Sequence, residues 1–67
     1  MDTVEFFGKN AGRVWKSLSS GPKTLTQVQK ASGLTLKEAS MGLGWLAREG
    51  KLKVSGSDTL HTKFELC

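Results

Sequence analysis

Gly33-Leu34-Thr35-Leu36-Lys37-Glu38-Ala39-Ser40-Met41-Gly42-Leu43-Gly44-Trp45-Leu46-Ala47-Arg48-Glu49-Gly50 is the stretch on which the fold turns. Thr35 and Glu38, three residues apart, form a capping-box pattern, in which hydroxyl and carboxylate each satisfy a backbone N–H left open at a helix start. The helix so opened runs through Ala39, Leu43 and Leu46 at spacings of three and four and stops at Gly50. Upstream, Thr26 with Gln29 repeats the device and predicts a short helix carrying Val28 and Ala31 before Gly33. Two capped helices thus flank a glycine turn.

Further upstream, Val4, Phe7, Ala11, Val14, Trp15 and Leu18 mark one buried stripe of a first helix. Asp2 and Glu5 supply its cap, and Ser19-Ser20-Gly21-Pro22 ends it. Gly8 and Gly12 each cost about 1 kcal/mol in a helix interior, which argues for a start later than the pattern suggests. Downstream the period changes to two. Leu52 and Val54 alternate with Lys51 and Lys53, and Leu60, Thr62, Phe64 and Leu66 alternate with His61, Lys63 and Glu65. A hairpin follows, its loop Ser55-Gly56-Ser57-Asp58-Thr59 long enough to project as a wing. A brief extra strand is expected near Lys23–Leu25. The expected architecture is α+β, a winged helix-turn-helix of three helices followed by a two-stranded hairpin, with residues 1–67 forming one domain.

The run from Gly33 through Leu34, Thr35, Ala39, Leu43, Leu46 and Gly50 to Leu52 resembles the turn and recognition helix of bacterial and archaeal winged-helix transcriptional regulators. A nearer resemblance rests on Asn10-Ala11-Gly12-Arg13-Val14-Trp15 and Leu43-Gly44-Trp45-Leu46-Ala47-Arg48-Glu49-Gly50-Lys51. These segments are similar to a family of small stand-alone winged helix-turn-helix domains of bacteria and archaea. That family has no agreed functional residues, so the resemblance implies the fold and transfers no site.

Sixty-seven residues are close to the least that can hold an apolar core unaided, and this makes stabilisation by a partner relevant. Ten basic against six acidic residues give a net charge of +4, which favours an anionic partner without specifying one. No apolar run approaches bilayer-spanning length, and the acidic start Met1-Asp2-Thr3-Val4-Glu5 does not read as a secretion signal. The single cysteine, Cys67, has no internal partner, in keeping with a reducing compartment. A cytoplasmic protein without membrane contact is expected.

Function is then a question of surface. On a helical wheel Lys37, Met41, Gly44, Trp45 and Arg48 point away from Ala39, Leu43 and Leu46. Two readings follow. In the first, the third helix docks near the major groove of double-stranded DNA, with Lys37, Ser40 and Arg48 on the helix and Lys53 and Lys63 on the strands facing phosphates. In the second, Met41, Gly44 and Trp45 form a protein contact, expected as a homodimer, because base edges are read by hydrogen-bonding side chains and these three offer few. An intramolecular alternative has the hairpin or the N-terminal segment folding over Trp45. The acid in Ser57-Asp58-Thr59 argues against a strongly DNA-gripping wing. Trp15 is expected in the core, and Phe6 lies off the first helix's stripe.

No cofactor, metal or catalytic role is expected. His61 and Cys67 are too far apart along an extended strand to share a metal ion. Ser55, Ser57, Asp58 and His61 have hydrolase-like side chains, but a hairpin tip offers no pocket or oxyanion donors to organise them. Gly42-Leu43-Gly44 sits inside a helix and lacks the strand, turn and lysine of a phosphate loop.

Overall fold

Asp2 begins the ordered architecture by accepting a hydrogen bond from the Val4 N–H at 2.9 Å, which caps α1, Thr3–Leu18. The computed structural model describes residues 2–56 and 61–67. After α1 come α2, Leu25–Ser32, α3, Leu36–Arg48, and two strands, β1, Leu52–Ser55, and β2, Lys63–Leu66. This is the winged helix-turn-helix arrangement of three helices and an antiparallel hairpin. Helix α1 starts at Thr3 despite Gly8 and Gly12, so the later start expected from those glycines is corrected. The Asp2 cap and the packing of Phe7 on Trp45 hold the first turns.

The core is one cluster made of Ala11, Val14 and Leu18 from α1, Val28 from α2, Leu34 from the turn, and Ala39, Leu43 and Leu46 from α3. Leu25, Trp45, Leu52, Phe64 and Leu66 pack against its margin. The most extensive contact is α1 against α3, and Gly42 makes it possible. A Cβ at that position would lie 2.7 Å from Val14 Cγ2 and 2.9 Å from the Asn10 carbonyl oxygen. Backbone therefore meets side chain directly at the helix crossing.

Both capping boxes of the helix-turn-helix are present, one of them in a different register from that expected. In α3 the Thr35 N–H donates to Glu38 Oε1 at 3.0 Å and the Glu38 N–H to Thr35 Oγ1 at 3.1 Å. In α2 the pair is Thr24 and Gln27, at 2.9 and 3.3 Å, in place of Thr26 and Gln29. The reason lies just upstream. Lys23 is tied to Phe64 by reciprocal backbone hydrogen bonds of 3.0 and 2.7 Å, so extended chain ends there and Thr24 becomes the cap. The expected extra strand is reduced to this single bridge, and Leu25 is already helical. Gly33, with φ +73°, closes α2, and Gly50, with φ +73°, follows α3.

In the hairpin Leu52 pairs with Leu66, Lys53 with Glu65, Val54 with Phe64 and Ser55 with Lys63. Leu60, expected on the second strand, and Ser57-Asp58-Thr59 of the wing lie outside the described residues, and His61 sits in a turn before β2. Two positions expected in the core are instead on the surface: Trp15 is 48% exposed and Val4 65%. Each stands to one side of the arc of α1, centred on Ala11, Val14 and Leu18, that the other elements cover. No helix among the described residues is long and apolar enough to cross a membrane. Nor do these residues contain a group of three or more His, Cys, Asp or Glu side chains able to hold a metal ion.

Candidate nucleic-acid interface

Packing of Ala39, Gly42, Leu43 and Leu46 inward leaves one face of α3 open to solvent. Lys37, Ser40, Gly44 and Arg48 are exposed on it, and Met41 is half-buried at its margin. Lys37 and Arg48 stand three turns apart, roughly 16 Å along the helix axis at 1.5 Å per residue. Among the described residues neither is within ion-pairing distance of a carboxylate. Glu38, next to Lys37 in sequence, is turned back into the cap, and Glu49, next to Arg48, forms no ion pair with it among the described residues. Hydrogen bonds from the Thr35 backbone and hydroxyl, helped by the charge of Arg13, hold the Glu38 carboxyl below the ordinary range.

Gly44 lies at the middle of this face, and nothing stands within 4 Å of where its Cβ would be. The chain itself thus has no steric need for glycine there, although a helix-interior glycine costs about 1 kcal/mol against alanine. Beside it, Ser40, Leu43, Gly44 and Ala47 of α3 form a shallow apolar groove of about 270 Å³ with Leu25, Leu52, Val54 and Phe64. Val54, expected to be inward-facing, lines this open groove and is 61% exposed.

The predicted site residues do not all share this surface. Lys53 and Lys63 alternate with Val54 and Phe64, so they stand on the sheet face turned away from the groove. Lys53 Nζ is 3.1 Å from Glu65 Oε1, and that hydrogen bond and charge hold the ammonium above its ordinary pKa. Trp45 is half-buried. Its ring stacks on Phe7 at 5.7 Å and 10° between planes, and Phe7 meets Phe6 edge-on at 5.3 Å and 87°. Of the two placements open for Trp45, the geometry is that in which the N-terminal segment covers it.

Two features had no signal in the reading of the sequence. Gly42 is one, since glycine at a helix crossing looks like any other helix glycine until the partner is known. Asn10 is the other. It is 6% exposed, its amide nitrogen has no hydrogen-bond acceptor among the described residues, and it lies in the wall of a cleft of about 220 Å³ with Glu5, Phe6, Lys9, Arg13 and Glu38. Asparagine on a helix normally reads as solvent-facing.

The helix order, the paired capping boxes and the exposed third helix define a winged helix-turn-helix protein. The chain belongs to the winged helix-turn-helix domain family DUF2582, whose model matches residues 1–63. It is similar to the uncharacterized protein MJ1608 of Methanocaldococcus jannaschii, with 37% identity over 54 residues, 76% of this chain and 77% of that protein. The fold is also that of protein BT2368 from Bacteroides thetaiotaomicron, solved by solution NMR. The TM-score is 0.84 at 23% identity, covering 97% of this chain and 79% of the other.

Proposed function

We propose that the protein binds double-stranded DNA through the outward face of α3, as a regulator or accessory factor, with Lys37 and Arg48 on phosphates. The observation that carries this reading is the exposure of both cations on one face of the third helix, with neither paired to a carboxylate among the described residues. Ser40 adds a hydroxyl between them, and the bare backbone at Gly44 lets a groove edge approach closely. The same surface is poor in side chains able to read bases, since Met41, Gly44 and Ala47 offer no hydrogen bond. Binding is therefore driven by phosphates, weakly selective and steeply salt-dependent. Lys53 and Lys63 stand on the opposite face of the hairpin, so the phosphate contacts rest on α3, and Lys53 is in addition neutralised by Glu65.

The test is fluorescence anisotropy with a labelled mixed-sequence duplex. Wild-type protein binds at low salt and releases as salt rises. Lys37→Glu combined with Arg48→Glu abolishes binding without loss of helical circular dichroism, and Lys37→Ala alone lowers the slope of log affinity against log salt by about one. Unchanged affinity after the double reversal would rule out docking through α3 and favour the second reading, a protein-contact module using Met41, Gly44 and Trp45.

A further inference from the structure

The outer face of α1 has a composition that the monomer does not explain. Val4, Gly8, Gly12 and Trp15 fall within one 80° arc of the helix, and all four are exposed. No charged side chain lies within the arc. Gly8 and Gly12 have ordinary helical backbone, and a Cβ on either would meet nothing within 4 Å. Each costs about 1 kcal/mol against alanine, and neither turn geometry nor a neighbour among the described residues requires it. Gly42 makes the contrast, because there the neighbour that requires glycine is visible. Beside Gly8 and Gly12 runs a groove of about 280 Å³ floored by Ala11, with Trp15 and Trp45 in its walls and Glu49 and Lys51 at its rim.

We infer that this face pairs with itself, two copies of the chain packing α1 against α1 antiparallel about a two-fold axis near Ala11 and Gly12. The arrangement is self-complementary in shape. Trp15 and Gly8 are seven residues apart, two turns of the helix, so the axis sets the indole of each copy over the bare backbone at Gly8 of the other. Glycine at the crossing allows the two backbones to approach closely. It is also complementary in charge. Glu5 and Lys16 flank the arc on the same side at opposite ends of α1, roughly 16 Å apart along the axis and too distant to pair within one helix. Antiparallel packing brings Glu5 of each copy to Lys16 of the other, twice per dimer, whereas a parallel pair would hold Glu5 and Lys16 at opposite ends of the seam and leave them unpaired. Buried aromatic anchors with a charged rim are the usual anatomy of such a contact. The inference does not depend on the DNA reading, since it uses α1 and leaves the outward face of α3 free.

Sedimentation velocity over a concentration series tests it. Wild type sediments as a reversible dimer. Gly8→Leu and Gly12→Leu sediment as monomers with helical circular dichroism retained, because leucine has open space at both positions in the single chain. Trp15→Ala weakens the dimer by about tenfold or more. Glu5→Lys and Lys16→Glu each weaken it, and the double variant recovers dimer, a rescue that only an intermolecular pair can produce. A wild type that stays monomeric throughout, or a dimer indifferent to both leucine substitutions, overturns the interface. Loss of dimer in each single reversal with no recovery in the double overturns the antiparallel arrangement.

Discussion

Three glycines in helices take opposite parts at the scale of single residues. At Gly42 an added methyl group would intrude on Val14 and on the Asn10 carbonyl, and backbone cannot yield as the end of a flexible side chain can. Gly42→Ala is therefore expected to destabilise the fold by about 1–3 kcal/mol, the usual cost of overpacking, despite alanine's better helix propensity. At Gly8 and Gly12 there is open space, so alanine at either position raises the stability of the monomer by up to about 1 kcal/mol. Urea denaturation of the three variants at high dilution checks the sign at each site, and destabilisation at Gly8 or Gly12 under those conditions would contradict the geometry. Helical periodicity alone does not distinguish them. What decides is the partner across the crossing, and no local pattern names it. Trp15 illustrates the same limit, since spacings of four from Ala11 and three from Leu18 put it in the expected stripe, while the arc of α1 that other elements cover stops short of it.

Elements were the most legible level, because caps and turns are local chemistry. The Thr35 and Glu38 box, the Gly33 turn and the Gly50 stop all follow from residues within a few positions of one another. The start of α2 did not, since Thr24-Leu25-Thr26-Gln27-Val28-Gln29 contains two overlapping capping boxes. A bridge from Lys23 to Phe64, some forty residues away in sequence, selects the first. Loss of the α3 cap in Thr35→Ala is expected to cost about 1 kcal/mol of stability in thermal or urea denaturation. The cap also has a definite pH dependence. Glu38 titrates lower in the folded chain than in the unfolded one, so its contribution is present above the ordinary value of 4.5 and fades as the pH falls through the lower folded value. A Glu38→Gln variant should lose less stability than wild type between neutral pH and that acid range. Lys53 behaves in the opposite sense. Its raised pKa makes the Glu65 contact a stabilising one below 10.5 that disappears as pH climbs past the folded value.

For the whole molecule, the fold separates two surfaces. Helix α1 and the N-terminal rings cover the inner side of α3 and hold Trp45 half-buried, which leaves the outward face with Lys37, Ser40, Gly44 and Arg48. Much of this candidate site was legible in the sequence, because Lys37, Ser40 and Arg48 follow from the wheel of one strongly patterned helix. The parts that were not, the far side of the hairpin for Lys53 and Lys63 and the cover over Trp45, depend on how separate elements meet. The most direct test of the central claim is a heteronuclear NMR titration of labelled protein with mixed-sequence duplex DNA, first at low and then at physiological salt. The account predicts shifts concentrated at Lys37, Ser40, Gly44 and Arg48, with the amides of α1 unmoved, and a retreat of those shifts as salt rises. A spectrum unchanged at low salt, or shifts centred on α1, would contradict it.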